Sequence, residues 1–205
     1  MKFTKLVTSY LVLAITPFIF MSTVVAKEKP IAIAIHGGAG TIDKVLMTDE
    51  KRHGYESKLK EARDAGYALL EQGKSSQAAV IAAIQIMEDS SLFNAGKGAV
   101  YTFDATHELD ASIMNGKTLK AGAVAGVKTV KSPIALAEKV MEESVHVMLS
   151  GAGAEEFAKQ KNLEMVPNSY FDTEHRYQSL LKAKQKLIEN ETQLKDFKAA
   201  HQSLD

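Results

Sequence analysis

Three short stretches of this sequence hold residues that could do chemistry. The first is His36-Gly37-Gly38-Ala39-Gly40, which follows an apolar run. A glycine-rich loop of this kind can aim backbone N–H groups at an oxyanion. An esterase built on it would also need a G-x-S-x-G nucleophile elbow, and the sequence has none. His36 has no serine or cysteine partner in a local signature and reads as a loop-shaping residue. The second stretch, Gly73-Lys74-Ser75, has the ending of a phosphate-binding loop. That loop requires a glycine five residues before Gly73, where Ala68 stands, and no strand precedes it. It reads as a turn between helices. The third stretch runs from Ser91 to Val100 and sets Phe93 and Asn94 among small residues, with glycines at 96 and 98. Two readings of it stay open. It is a tight connection between a buried helix and a strand, or it is a cage of main-chain carbonyls for a hard cation.

The elements that must position these stretches alternate along the chain. Ile31, Ile33 and Ile35 alternate with alanine before the glycines, which predicts a buried strand. From Thr48 to Gln72 the apolar residues Tyr55, Leu59, Ala62, Ala65, Ala68 and Leu69 fall near helical spacing, and Gly73 supplies the stop. A serine at 75 or 76 then opens a helix over 76–89. That helix is nearly apolar all round, so it is expected to lie buried between layers. Short strands are expected at 99–103 and 108–114, joined by a turn at 104–107, and Asn115-Gly116 makes the next turn. A strand over 120–128 is built of small residues, which lets a helix or another backbone pack close. Pro133 opens a helix with Ser132 as its expected cap. A strand within 146–151 and a helix over 152–161 follow. From Glu174 the chain reads as helical and increasingly charged, with no packing stripe of its own, as a frayed helix or linker. The alternation predicts an α/β or α+β layered fold, and α+β is the one the family resemblance below implies.

Composition narrows the function classes. The 205 residues are 45% hydrophobic and 24% charged, the balance of an ordinary globular protein. Lys+Arg and Asp+Glu each total 25, so no basic excess recruits nucleic acid. The absence of cysteine excludes disulfides and thiolate zinc sites. At the start, Lys2 and Lys5 precede an uncharged apolar run, and Val24 and Ala26 sit at the −3 and −1 positions of a signal-peptidase site. Residues 1–26 are therefore expected to be a secretory signal peptide, removed to leave a secreted or periplasmic protein.

Taken together, the stretches "IAIHGGAG", "SLFNAGKGAV", "THELDASIMNG", "LKAGAVAGV", "SPIALAEKVME" and "HVMLSGAGAEEFA" occur in the order and spacing of the plant-type L-asparaginase / isoaspartyl peptidase family. The resemblance covers nearly all of residues 31–185. It implies an N-terminal nucleophile hydrolase with an αββα sandwich. In that family a precursor cuts itself before a threonine. The freed threonine attacks the side-chain amide of asparagine or a β-aspartyl peptide bond, with its own α-amino group as base.

The resemblance also implies roles for residues here. The main-chain carbonyls of Met87, Glu88, Ser90, Phe93, Ala95 and Lys97 would hold a sodium ion. Asn94 would lie beside the nucleophile, with Gly37, Gly38 and Gly40 approaching it by their backbones. No organic cofactor is implied. Family members continue beyond a charged linker into a Gly-Thr-Val-Gly segment that bears the nucleophile. This sequence has no such segment, and its one Gly-Thr pair is Gly40-Thr41. No catalytic residue is therefore assigned within it. It resembles the α-subunit half of the sandwich, residues 27–185, with 186–205 as a flexible linker, incomplete without a β-subunit part. The expected partners are a β subunit with an N-terminal threonine, assembled as (αβ)2, and L-asparagine or β-aspartyl dipeptides as substrates. The alternative is a truncated, catalytically inactive fragment or a non-catalytic binding protein.

Overall fold

The computed structural model describes residues 30–38 and 47–202, with side chains through Lys195. The expected signal peptide and Gly40 lie outside the described residues.

Two helices come first. Helix α1 spans Asp49–Glu71 and α2 spans Ser76–Glu88. Each begins on a hydroxyl. Thr48 Oγ1 accepts from Lys51 N at 3.2 Å, and Ser75 Oγ accepts from Ala78 N at 3.1 Å. Gly73 turns the chain between them at φ +73°, a conformation that suits glycine. The two helices pack closely where Gly66 meets α2. A Cβ on Gly66 would lie 2.8 Å from the Ala79 carbonyl oxygen and 2.6 Å from Ile33 Cδ1. The expected burial of α2 between layers is largely met, and among residues 77–88 only Val80 is exposed. Ala79, Ile81 and Ala83 are buried, but Val80 is 39% exposed.

Among the described residues the sheet has three strands in the order β1-β2-β3. Strand β1 is Leu109–Met114, β2 is Ala121–Val127 and β3 is Met148–Ser150. The first two pair antiparallel, from Met114↔Ala121 to Leu109↔Val127. A register irregularity falls between Leu109 and Ala111. There Asp110 Oδ1 accepts from Gly126 N at 2.8 Å, so a side chain replaces a ladder partner. Strand β3 runs parallel to β2, reached through helix α3, Pro133–Glu143. Helix α4, Gly151–Gln160, a 3-10 turn at Asn168–Phe171 and helix α5, Glu174–Gln202, complete the order. Leu109, Ile113, Val124, Ile134, Leu136, Val140, Ala154 and Phe171 form one core.

The small residues of β2 have a reason. Gly122 faces α3 so closely that a Cβ would collide with the Ala137 carbonyl and the Met141 backbone nitrogen. The alternate residues Asp110, Ser112 and Met114 of β1 are exposed, while Ala121, Ala123 and Ala125 of β2 are half-buried.

Two expected strands are absent among the described residues. Residues 31–35 have no ladder partner among the described residues, and Ile31 is 39% exposed. Residues 99–103 run without a ladder partner into a turn closed by Thr102 N→Thr106 O at 2.7 Å. An alternating pattern marks a segment that fits a sheet; it does not supply the neighbouring backbone. Ser132 takes the N-cap position of α3 as expected, but its hydroxyl makes no capping bond to that helix. The charged tail is helical through Gln202, and residues 185–195 are exposed.

Gly122→Ala is expected to destabilise the fold by about 3 kcal/mol or more, because backbone must move to admit one methyl group. Gly116, with nothing within 4 Å of its Cβ position, is the control. Gly116→Ala should change denaturant-melt stability by less than about 0.5 kcal/mol.

Candidate functional site

The loop after α2 is built around Glu88. Its side chain is 3% exposed and reaches across to α3. Oε1 accepts from Ile134 N at 2.9 Å, and Oε2 accepts from the Ser132 hydroxyl at 2.6 Å. The carboxylate thus takes the capping role expected of Ser132, at the helix end where negative charge is favoured. Burial pushes the Glu88 carboxyl up to about 7, opposed by these two hydrogen bonds and assisted by repulsion from Asp89.

The main chain of the same residue shapes the loop. Lys97 N donates to the Glu88 carbonyl at 2.8 Å, folding residues 90–97 back on the helix end. Both loop glycines are enforced by this fold. A Cβ on Gly96 would collide with the Glu88 carbonyl oxygen, and one on Gly98 with that of Phe93. Carbonyls are thus gathered where the glycines leave room. Among the described residues, those of Phe93, Ala95 and Lys97 accept no hydrogen bond. The Lys97 ammonium lies over the Tyr170 ring, 5.0 Å from its centroid, in a cation–π contact. Unbonded main-chain oxygens are the ligand type a hard cation takes, which makes this loop the candidate cradle for one. No group of three His, Asp or Glu side chains gathers as a metal site among the described residues.

The structure brings two of the sequence-derived stretches together. Phe93 is 5% exposed and meets Tyr55 edge-on at 5.9 Å. The Cβ position of Gly37 is 3.6 Å from Phe93 Cε1 and 3.2 Å from Leu59 Cδ1. The glycine segment at 36–38 therefore lies against the residue next to Asn94. Gly38 has φ +104°, and its N–H donates to His36 Nδ1 at 3.3 Å. That bond uses His36 to set the loop's shape. Asn94 itself is exposed. The Gly73-Lys74-Ser75 stretch is a turn between α1 and α2, as its failed motif implied.

Several residues at this site carry no local signal. His107 is fully buried, with Nδ1 3.1 Å from the Val100 carbonyl oxygen and Nε2 3.1 Å from Asp172 Oδ1. Asn168 Oδ1 accepts from His107 N at 2.9 Å, and its Nδ2 donates to the His107 and Lys128 carbonyls at 2.9 and 2.8 Å. Arg176 Nε donates to the Gly98 carbonyl at 2.7 Å. Apart from Val100, seven residues before His107, each partner is at least 40 residues away in sequence, beyond the reach of any periodicity argument.

The family model described as "Asparaginase" matches residues 29–204. The chain belongs to the asparaginase family. It is 46% identical over 157 residues to a putative isoaspartyl peptidase/L-asparaginase of Dictyostelium discoideum, covering 77% of this chain and 45% of that protein. It is 49% identical over 152 residues to an isoaspartyl peptidase of Salmonella typhimurium, covering 74% and 49%. A plant-type L-asparaginase of Pyrococcus horikoshii is 45% identical over 161 residues, covering 78% and 50%. The chain spans about half the length of the curated relatives it matches. Family membership implies the N-terminal nucleophile hydrolase fold, and the small mixed sheet backed by α3 is consistent with it.

Glu88→Ala is expected to cost about 2–4 kcal/mol, because it leaves Ile134 N without its partner and opens a buried void. Glu88→Gln keeps the acceptor and should cost less than half as much. Urea melts of the two variants, with hydrogen exchange at 133–137, measure the difference.

Proposed function

We propose that this chain provides the α part of an isoaspartyl peptidase/L-asparaginase. The reaction is hydrolysis of the asparagine side-chain amide and of β-aspartyl peptide bonds. The observation that carries the reading is the family match across 29–204 with relatives 45–49% identical. Segment 31–35 supports it, since its alternating isoleucines suit a strand yet have no ladder partner among the described residues.

The nucleophile is a threonine outside these 205 residues, at the start of a second part, either continuous in a longer precursor or a separate chain. Its hydroxyl attacks the scissile carbonyl, its α-amino group takes the proton, and ammonia or the peptide amine leaves; water then releases aspartate. The residues here position that group. Gly37 and Gly38, with Gly40, let backbone approach it closely, and Asn94 fixes its surroundings from the adjoining loop. A sodium ion held by the carbonyls of Met87, Glu88, Ser90, Phe93, Ala95 and Lys97 would stiffen that loop. No organic cofactor takes part. The full assembly is (αβ)2, acting outside the cytoplasm after removal of residues 1–26.

The test is reconstitution. This chain alone should release no ammonia from L-asparagine and cleave no β-aspartyl dipeptide above a mock preparation. Together with a threonine-bearing second part it should do both. Turnover by the chain alone, or none by the reconstituted pair, overturns the reading; the second result favours an inactive fragment. In the active pair, Asn94→Ala should lower kcat about 100-fold with little change in KM.

A further inference from the structure

The loop at 89–98 is gripped from outside by a segment some eighty residues later. Tyr170 Oη donates to Asp89 Oδ1 at 3.2 Å at the loop's start, and the Lys97 ammonium sits over the same Tyr170 ring near its end. Arg176 Nε then donates to the Gly98 carbonyl at 2.7 Å, and Asp172 meets His107 just beyond. The first turn of α5 and the 3-10 turn before it therefore clasp both ends of the carbonyl cradle.

The clasp matters because of Gly98. Its position is closed to a side chain by the Phe93 and Ser91 carbonyls, so only glycine fits. Glycine is also the residue with the most backbone freedom. The Lys97 carbonyl belongs to the peptide plane just before Gly98, and the Gly98 carbonyl to the plane just after. Two soft dihedrals join these planes. Gly98 is thus the joint beside one of the candidate ligands, and Arg176 fixes its far plane.

We propose that Arg176 is a positioning residue for the carbonyl cradle, so that cation binding at 87–97 and docking of residues 168–177 are energetically linked. The inference rests on the sodium reading above and goes beyond it. If docking of 168–177 orders the cradle, a bound cation must stabilise that docking by the same factor. A second effect has the opposite sign. The guanidinium is positive, and its charge alone opposes a cation nearby. Loss of the side chain weakens cation binding if positioning dominates, and tightens it if charge dominates. The hydrogen bond to a backbone plane in contact with the cradle places positioning first.

The test titrates NaCl into the full chain, with N-methylglucamine chloride holding ionic strength constant. Melting temperature and hydrogen exchange at 87–99 and 168–177 are followed. In the wild type, sodium should raise the melting temperature and slow exchange in both segments. Arg176→Met should need about tenfold more sodium for the half-maximal rise. Its melting temperature should recover toward wild type at saturating sodium, which a merely structural loss would not allow. Arg176→Lys, with its charge kept but a shorter reach, should fall between. Tyr170→Phe, which removes one hydroxyl, should give a smaller shift in the same direction if Arg176→Met does not fold. An unchanged or lower sodium midpoint in these variants overturns the proposal, as does protection confined to 87–99 in the wild type. No sodium response in the wild type overturns both the proposal and the sodium reading, and leaves the reconstitution test of activity separate.

Discussion

The buried carboxylate of Glu88 is the contact on which most of this structure depends. It stands at the last residue of α2 and ends on the first turn of α3. One residue therefore joins the helical layer at the start of the chain to the helix that backs the sheet. Its carbonyl, meanwhile, receives Lys97 N and folds the candidate loop. Burying an acid is costly unless its oxygens are satisfied, and here both oxygens have donors. The same burial explains why the group is held up to about 7. A shift of α3 along the sheet would break these bonds and disturb the loop as well.

A second constraint is close approach of backbone to backbone. Gly66, Gly96, Gly98 and Gly122 each stand where a methyl group would strike main-chain atoms. Two of them pack helices, against α2 and β2, and two fold the loop. The site and the core therefore share one packing device. Glycine is used at these positions because no other residue leaves room for a carbonyl.

Much of this was legible in the sequence. The four helices α1 to α4 and the strands β1 to β3 lie within a residue or two of where spacing, serine caps and Gly73 put them. Those signals are local, and local interactions decide them. Residues 31–35 show where such reading stops, since alternation of Ile31, Ile33 and Ile35 cannot provide a ladder partner. The cap of α3 was placed correctly at Ser132, but its acceptor was not legible for a related reason. Ser132-Pro133 looks like a cap and first turn, but the acceptor comes from Glu88, 46 residues earlier in the chain than Ile134. The stripe of loop residues from Phe93 to Gly98 was visible as a stretch that must turn tightly. What encloses it was not, because His107, Asn168 and Arg176 act through partners remote in sequence. The ordered set of family motifs carried more about function than any single residue, and it placed Gly37 and Asn94 in stretches that the fold brings side by side.

We propose above that this chain works as one part of a threonine-nucleophile amidohydrolase. Native mass spectrometry of the protein purified from its own source, followed by sequencing of every chain present, tests that claim most directly. A second polypeptide should be present in equal amount, with threonine as its first residue. A preparation containing this chain alone that nevertheless hydrolyses L-asparagine would contradict it.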